Sequence, residues 1–225
     1  KFTKKLSQIQ NQKKTYTGTI TLGGTTASYD LETKINNNYI GAPETIFDLH
    51  KYYNENFINI FKKNYKIKAT SLRLSNIYGI SNTKSKNRGI FYKLIKKALK
   101  ENVINIYGNG NYNRDFLYIN DLLDGIEAIL KNHNRIKNNY YYLNNGKSFT
   151  LKQFALILKK IIKTYTDKEL KIRYVKWPNS SSNLDRRSFI GNNDEIKKII
   201  DWKPKFTLEK GIEDIVKNYL NNKIL

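Results

Sequence analysis

The chain has 225 residues, enough for one large α/β domain, or a domain with a smaller lobe, around a sizeable core. Cysteine is absent and His50 and His133 are the two histidines, which excludes a disulfide framework and a cysteine- or histidine-rich metal site. The formal net charge is +22, yet seven of the 41 basic residues are arginine. Lysine, asparagine, isoleucine and tyrosine are all abundant and all have A/T-rich codons. The charge therefore reads as base composition more than as a nucleic-acid footprint, which favours arginine forks. No apolar run approaches membrane-spanning length and the first residues show no signal-peptide pattern, so a soluble cytoplasmic protein is the expectation. Methionine is missing even at position 1, where Lys1 stands, and residues are expected ahead of it.

In chain order, residues 1–15 are polar and lysine-rich. Thr17–Gly24 alternates β-branched residues and ends in Gly-Gly, the pattern of a buried strand entering a loop, and Thr25–Pro43 reads as that loop. From Glu44 to about Lys63, Leu49, Tyr53, Phe57, Ile60 and Phe61 recur at helical spacing. Ile67–Ser75 reads as a strand, and Gly89–Lys100 as a helix with Ile90, Leu94, Ile95 and Ala98 on one face. A short strand Ile104–Tyr107 leads into a tight loop Gly108–Asn113, then a helix Asn120–Leu130 with Asp121 in its first turn, where a carboxylate suits the helix dipole. Tyr140–Leu143 is a strand. Thr150 with Gln153 three residues on forms a capping box opening a helix to about Ile162. Lys171–Val175 is a strand, and Asn193–Ile200 and Leu208–Leu220 are closing helices. Alternating strands and helices predict α/β architecture with a mostly parallel sheet.

Three stretches carry a resemblance. Leu72-Arg73-Leu74-Ser75-Asn76-Ile77-Tyr78-Gly79 is similar to an LRxxNxYG strand end. Tyr107-Gly108-Asn109-Gly110 followed by Arg114-Asp115-Phe116-Leu117-Tyr118-Ile119-Asn120-Asp121 is similar to YGxGxxxRDFxYVxD. Asp201-Trp202-Lys203-Pro204 with Leu208-Glu209-Lys210-Gly211-Ile212 is similar to GWxPxxxLxxGI. In this order they resemble the extended short-chain dehydrogenase/reductase family, in its NAD-dependent nucleotide-sugar epimerase/dehydratase branch, over nearly the whole chain. The resemblance implies the carboxyl-terminal part of a Rossmann-like parallel sheet plus a smaller α/β substrate-binding lobe. Residues 1–79 would be the remnant of the Rossmann-like domain and 80–225 mainly the lobe, with 114–145 returning to the sheet. The family's GxxGxxG phosphate loop is not in this sequence, because Gly23-Gly24 is followed by Thr-Thr. NAD or NADP is thus expected for the full-length family and tight binding of either is not expected of this chain.

The resemblance implies a chemistry that begins with oxidation of a sugar hydroxyl: hydride passes to the nicotinamide while a tyrosine phenolate takes the hydroxyl proton, a lysine four residues later lowers the tyrosine pKa and holds the cofactor ribose, and a Ser or Thr hydroxyl bonds the same sugar oxygen. By resemblance, Lys51 and Glu55 match K-x-x-x-E, Pro43 matches the preceding proline, and Thr25 matches the hydroxyl position. The tyrosine position is then Phe47, which keeps the ring and loses the oxygen. A plain reading makes Phe47 a core aromatic and Lys51 a solvated charge. For substrate, the resemblance implies that Arg114 forks a diphosphate, Asn76 touches it, and Tyr107 packs on the base. The plain alternatives are an ion pair of Arg114 with Asp115 or Asp121 and a buried strand aromatic at Tyr107. Asn183-Leu184-Asp185-Arg186-Arg187 departs from the family's RxGD, and Arg186 or Arg187 is the candidate to compensate.

Three functions follow as expectations. The first is a nucleotide-sugar epimerase, dehydratase or reductase serving surface polysaccharide precursors, acting on a UDP-, dTDP- or GDP-sugar as a homodimer paired through the Lys51 helix. The second is a catalytically impaired homologue that binds a nucleotide sugar or a partner subunit. The third, favoured by charge alone, is a basic nucleic-acid-binding protein. No metal is expected.

Overall fold

The computed structural model describes residues 45–80, 90–179, 181, 183–186 and 188–222. The expected strand Thr17–Gly24, the loop after it with Thr25, and the start of the Gly89 helix lie outside the described residues. The chain divides into two compact units, residues 1–57 and 58–225.

Helix α1 (Ile46–Tyr65) is opened by Thr45, whose Oγ1 accepts the Asp48 amide at 3.1 Å. Asp48 in its first turn and Lys62 and Lys63 in its last complement the dipole. None of its residues is buried, and Tyr53, Phe57, Ile60 and Phe61 are exposed. Lys66, at φ 54°, stops it.

In the second unit follow β1 (Ser71–Leu74), β2 (Asn76–Tyr78), α2 (Ile90–Glu101), β3 (Val103–Tyr107), β4 (Asn113–Tyr118) and α3 (Ile119–Lys131). Then come β5 (Tyr140–Leu143), β6 (Ser148–Thr150), α4 (Leu151–Thr166), β7 (Lys171–Val175), a 3-10 turn (Asn183–Arg186), the short α5 (Asp194–Lys197) and α6 (Leu208–Asn222). The expected strand Ile67–Ser75 is divided: β1 pairs in parallel with β5 (Ser71↔Tyr140), and beyond Ser75, β2 pairs in parallel with β4 (Asn76↔Phe116). β3 runs parallel to β7 (Val103↔Lys171), and β6 lies antiparallel on β4 (Arg114↔Phe149). Three of the four described pairings are parallel, as the α/β expectation requires.

Burial alternates along β3, with Ile104 and Ile106 inward, the period of a strand with one packed face. Those two side chains meet Ile95 and Ala98 of α2, Phe154, Leu158 and Ile162 of α4, and Ile212 and Val216 of α6 in the larger apolar cluster. A smaller cluster joins Leu117, Leu122, Tyr141, Leu143, Ile196 and Trp202. Each fully buried aliphatic side chain contributes roughly 1.5–3 kcal/mol of transfer free energy. The capping box is formed as expected: Thr150 Oγ1 accepts the Gln153 amide at 3.1 Å and Gln153 Oε1 accepts the Thr150 amide at 2.8 Å. Among the described residues no helix is long and apolar enough to cross a membrane.

Candidate functional site

In the first unit, Phe47 and Lys51 stand one helical turn apart on α1. The register expected of a base position and its lysine is therefore the register of one helix face. Phe47 is 69 % exposed, which does not match the plain reading of a core aromatic, and Lys51 is also exposed. The Lys51 ammonium lies 5.3 Å from the Phe47 ring centroid, a cation–π arrangement in which the ring offers its face where a tyrosine would offer an oxygen.

The second unit brings the three substrate candidates onto neighbouring elements. Asn76 begins β2, just past the end of β1, and its Nδ2 donates to the Asp115 carbonyl at 3.0 Å across the β2–β4 ladder. Arg114, one residue earlier on β4, is half-buried; its Nη1 donates to the Asn113 carbonyl at 2.9 Å and its Nη2 to the Asp185 carbonyl at 2.7 Å. The guanidinium is thus anchored between β4 and the 3-10 turn through both of its outer nitrogens. The same stretch is tied down again by the Phe189 amide on the Asn113 carbonyl at 3.0 Å and by the Asn113 amide on Ser188 Oγ at 3.1 Å.

The two motif aspartates hold main chain. Asp115, fully buried, accepts the amides of Asn145 (2.9 Å) and Gly146 (2.8 Å), one on each oxygen. Asp121 lies in the first turn of α3 as expected, but its buried carboxylate accepts the amides of Lys205 (2.8 Å) and Phe206 (3.0 Å), and its carbonyl accepts Trp202 Nε1 at 2.9 Å. They join β4 and the first turn of α3 to distant loops, a role that spacing along the chain could not reveal.

Tyr107 closes β3 and is half-buried rather than a sealed core aromatic. Its ring stacks on Trp177, centroids 5.5 Å apart at 26°. Tyr112 meets the indole edge-on at 5.9 Å, and the Arg186 guanidinium lies 5.7 Å from it. Gly108, at φ 63°, lets the indole down onto the turn, since a Cβ there would stand 2.6 Å from Trp177 Nε1. Trp177 escaped the sequence reading because it sits in coil with no periodicity. Its one signal is its place two residues past β7, the strand that pairs with β3.

Elsewhere, burial above all, then the Asp214 carboxylate to which its hydroxyl donates, holds the Tyr118 phenol above the usual tyrosine range. Burial and the charge of Asp121 do the same for Tyr78. A groove along α3, lined by Asp124, Glu127, Lys131, Asp201, Lys203 and Lys205, contains none of the candidate residues. No cluster of His, Cys, Asp or Glu fit for a metal occurs among the described residues.

Known proteins resemble this chain in sequence and in fold. An uncharacterized protein of Methanocaldococcus jannaschii is 28 % identical over 185 residues, 82 % of this chain and 52 % of its own length. A putative UDP-glucose 4-epimerase of the same organism is 29 % identical over 190 residues, 84 % of this chain and 57 % of its own. The crystal structure of a UDP-glucose 4-epimerase from Thermotoga maritima with UDP-glucose superposes with a TM-score of 0.68 at 25 % identity, covering 83 % of this chain and 56 % of that one. The chain therefore spans little more than half the length of these relatives. Residues 6–143 match the NAD dependent epimerase/dehydratase family, and the chain belongs to that family.

Proposed function

We propose that this chain holds a nucleotide sugar within an epimerase/dehydratase-like protein of sugar-nucleotide metabolism, in the cytoplasm, supplying surface polysaccharide precursors. The observation that carries the reading is a chain of contacts: Arg114 is bonded to the 3-10 turn whose Arg186 meets the Tyr107–Trp177 stack, and Asn76 sits on the strand paired with β4. Arg114 brings its guanidinium charge to the diphosphate, the Asn76 amide lies on the adjacent strand, and Tyr107 supplies an aromatic face for the base. The relatives that carry the names of UDP-sugar enzymes support UDP as the nucleotide to test first. We assign residues 1–79 to the Rossmann-like part and 80–225 mainly to the substrate lobe, with 114–145 returning to the Rossmann-like sheet, and α1, with its exposed apolar residues, to pairing with a second copy. Calorimetry with UDP tests the reading. Arg114→Ala removes the charged fork and should weaken binding about 10- to 100-fold, since charge-assisted hydrogen bonds are worth roughly 1.5–3 kcal/mol each. An unchanged affinity sinks it, and DNA binding with a steep salt dependence in its place would favour a nucleic-acid function.

A second reading, that the site is catalytically impaired, is favoured by Phe47. The residues fit a nicotinamide cofactor only in part. Lys51 suits a ribose, but its ammonium faces a ring with no oxygen, and the sequence has no GxxGxxG for the pyrophosphate. A graft of the family's amino-terminal half onto this chain, with Phe47 or with Phe47→Tyr, separates the two readings by NADH formation on UDP- and dTDP-sugars. A gain of about 10²–10⁴ in the Phe47→Tyr form that vanishes with Lys51→Ala supports impairment. Full activity with Phe47 contradicts it.

A further inference from the structure

We propose that Trp177 is a displaceable cover on the nucleobase seat: its indole occupies the face of Tyr107 until a base takes its place. The proposal rests on the nucleotide reading above and adds a residue that sets the affinity and selectivity of that seat.

The stacking geometry leaves no slot between the two rings. Their centroids are 5.5 Å apart. A base between them would need van der Waals contact on both its faces, about 7 Å from ring to ring. A base that uses this face of Tyr107 must therefore move the indole. What holds the indole is suited to exchange. The ring is half-exposed, with a stacking partner in Tyr107, an edge in Tyr112 and a cation in Arg186. Each is a contact that a nucleobase can make equally well with its own π-face. The other tryptophan shows the contrast: Trp202 is buried, with its Nε1 bonded to the Asp121 carbonyl.

The main chain beneath Trp177 stays put when the side chain leaves. The Gly108 amide donates to the Val175 carbonyl at 2.9 Å, closing the β3–β7 ladder just before Trp177. Rotation about the tryptophan χ angles thus frees Tyr107 without breaking a ladder bond. Gly108 gives the indole its resting place, since any Cβ there would collide with Nε1. Arg186 then remains beside the vacated position, where a cation suits the phosphates attached to an incoming base. Because one stack is exchanged for another, the cover lowers affinity by about the worth of the contact that is lost. It also discriminates against ligands that cannot stack.

The test uses the 225-residue chain and UDP, with UMP and pyrophosphate as the other probes. Calorimetry should show Trp177→Ala binding UDP roughly three- to tenfold tighter than the parent, the factor one aromatic stack supplies. Trp177→Phe, which keeps a smaller ring, should fall between. The chain has two tryptophans, so the Trp177 indole N–H resonance is identified by its loss in Trp177→Phe. It should shift on adding UDP or UMP and stay in place with pyrophosphate. If UDP binds and Trp177→Ala weakens it, Trp177 is a fixed wall of the seat and the cover is wrong. If UDP binds with affinity and resonance both unmoved, the base sits elsewhere and the cover is equally wrong. If UDP binds to neither the parent nor the variants, the nucleotide reading itself fails and takes the cover with it. Should Trp177→Ala not fold, the resonance in the parent chain and the affinity of Trp177→Phe still decide.

Discussion

Replacing Asp115 by asparagine should cost this chain much of its stability while leaving its neighbour Arg114 as the residue that matters for ligand. Each Asp115 oxygen accepts one main-chain amide, from Asn145 at 2.9 Å and Gly146 at 2.8 Å, in a fully buried setting. Gly146 is at φ 77°, so these bonds fix a turn that only certain backbones adopt. Asparagine keeps one oxygen and turns an NH2 toward the other amide. One charge-assisted bond, worth about 1.5–3 kcal/mol, is lost, and a buried N–H is left facing a donor, for a total of roughly 2–4 kcal/mol. At roughly 2–4 °C per kcal/mol for a chain of this size, Tm falls by about 5–15 °C. Urea unfolding followed by circular dichroism, with the m-value unchanged, measures it. Arg114→Ala, whose two bonds reach main-chain carbonyls from a position partly open to solvent, should lose less, about 1–2 kcal/mol. An Asp115→Asn variant within about 0.5 kcal/mol of the parent would refute the reasoning, since the carboxylate would then not be what holds the turn.

Thr150→Ala removes the hydroxyl half of the capping box, while the main-chain amide at position 150 keeps Gln153 Oε1, and should lower stability by about 0.5–2 kcal/mol, read from the urea midpoint. Gly211→Ala would place a Cβ 2.2 Å from the Tyr78 hydroxyl oxygen; an overpacking cost of about 1–3 kcal/mol should outweigh the gain in helix propensity, and adding Tyr78→Phe should recover part of it in a double-mutant cycle. The folded pKa of Tyr118 is raised, so its contribution to stability is complete below its ordinary value of 10.0 and is lost as pH climbs above it. Thermal melts from about pH 8 to about pH 11 should therefore fall less steeply in Tyr118→Phe than in the parent; parallel curves would show that the Tyr118–Asp214 contact has no such linkage.

Much of the fold was legible because its signals are local. Helical spacing marked α1, α2 and α6, and the Thr150–Gln153 pair marked the start of α4 to the residue. β4 and β6 were missed. Asn113–Tyr118 shows no alternation, since its last four residues are all buried, and the charged pair that opens it is satisfied by groups at residues 145, 146 and 185. β6 has three residues, too few for any period to show. The break at Ser75 was likewise invisible, because which neighbour a strand pairs with is decided by segments far along the chain. Within the candidate site, Asn76, Tyr107 and Arg114 stood out through motif resemblance, whereas Trp177 depends on the β3–β7 register, which no single stretch encodes.

That break at Ser75 has a further effect. β1 has four residues and β2 three, and a ladder that short gives little protection against slippage by itself. Joined by one residue, neither can slide on its own. A shift of β1 along β5 would drag β2 along β4, swing Tyr78 out of the larger cluster and carry Asn76 off the Asp115 carbonyl in the same motion. Two weak alignments so coupled behave like a vernier, in which one setting satisfies both scales, and the side chain fixed at that setting is the Asn76 amide.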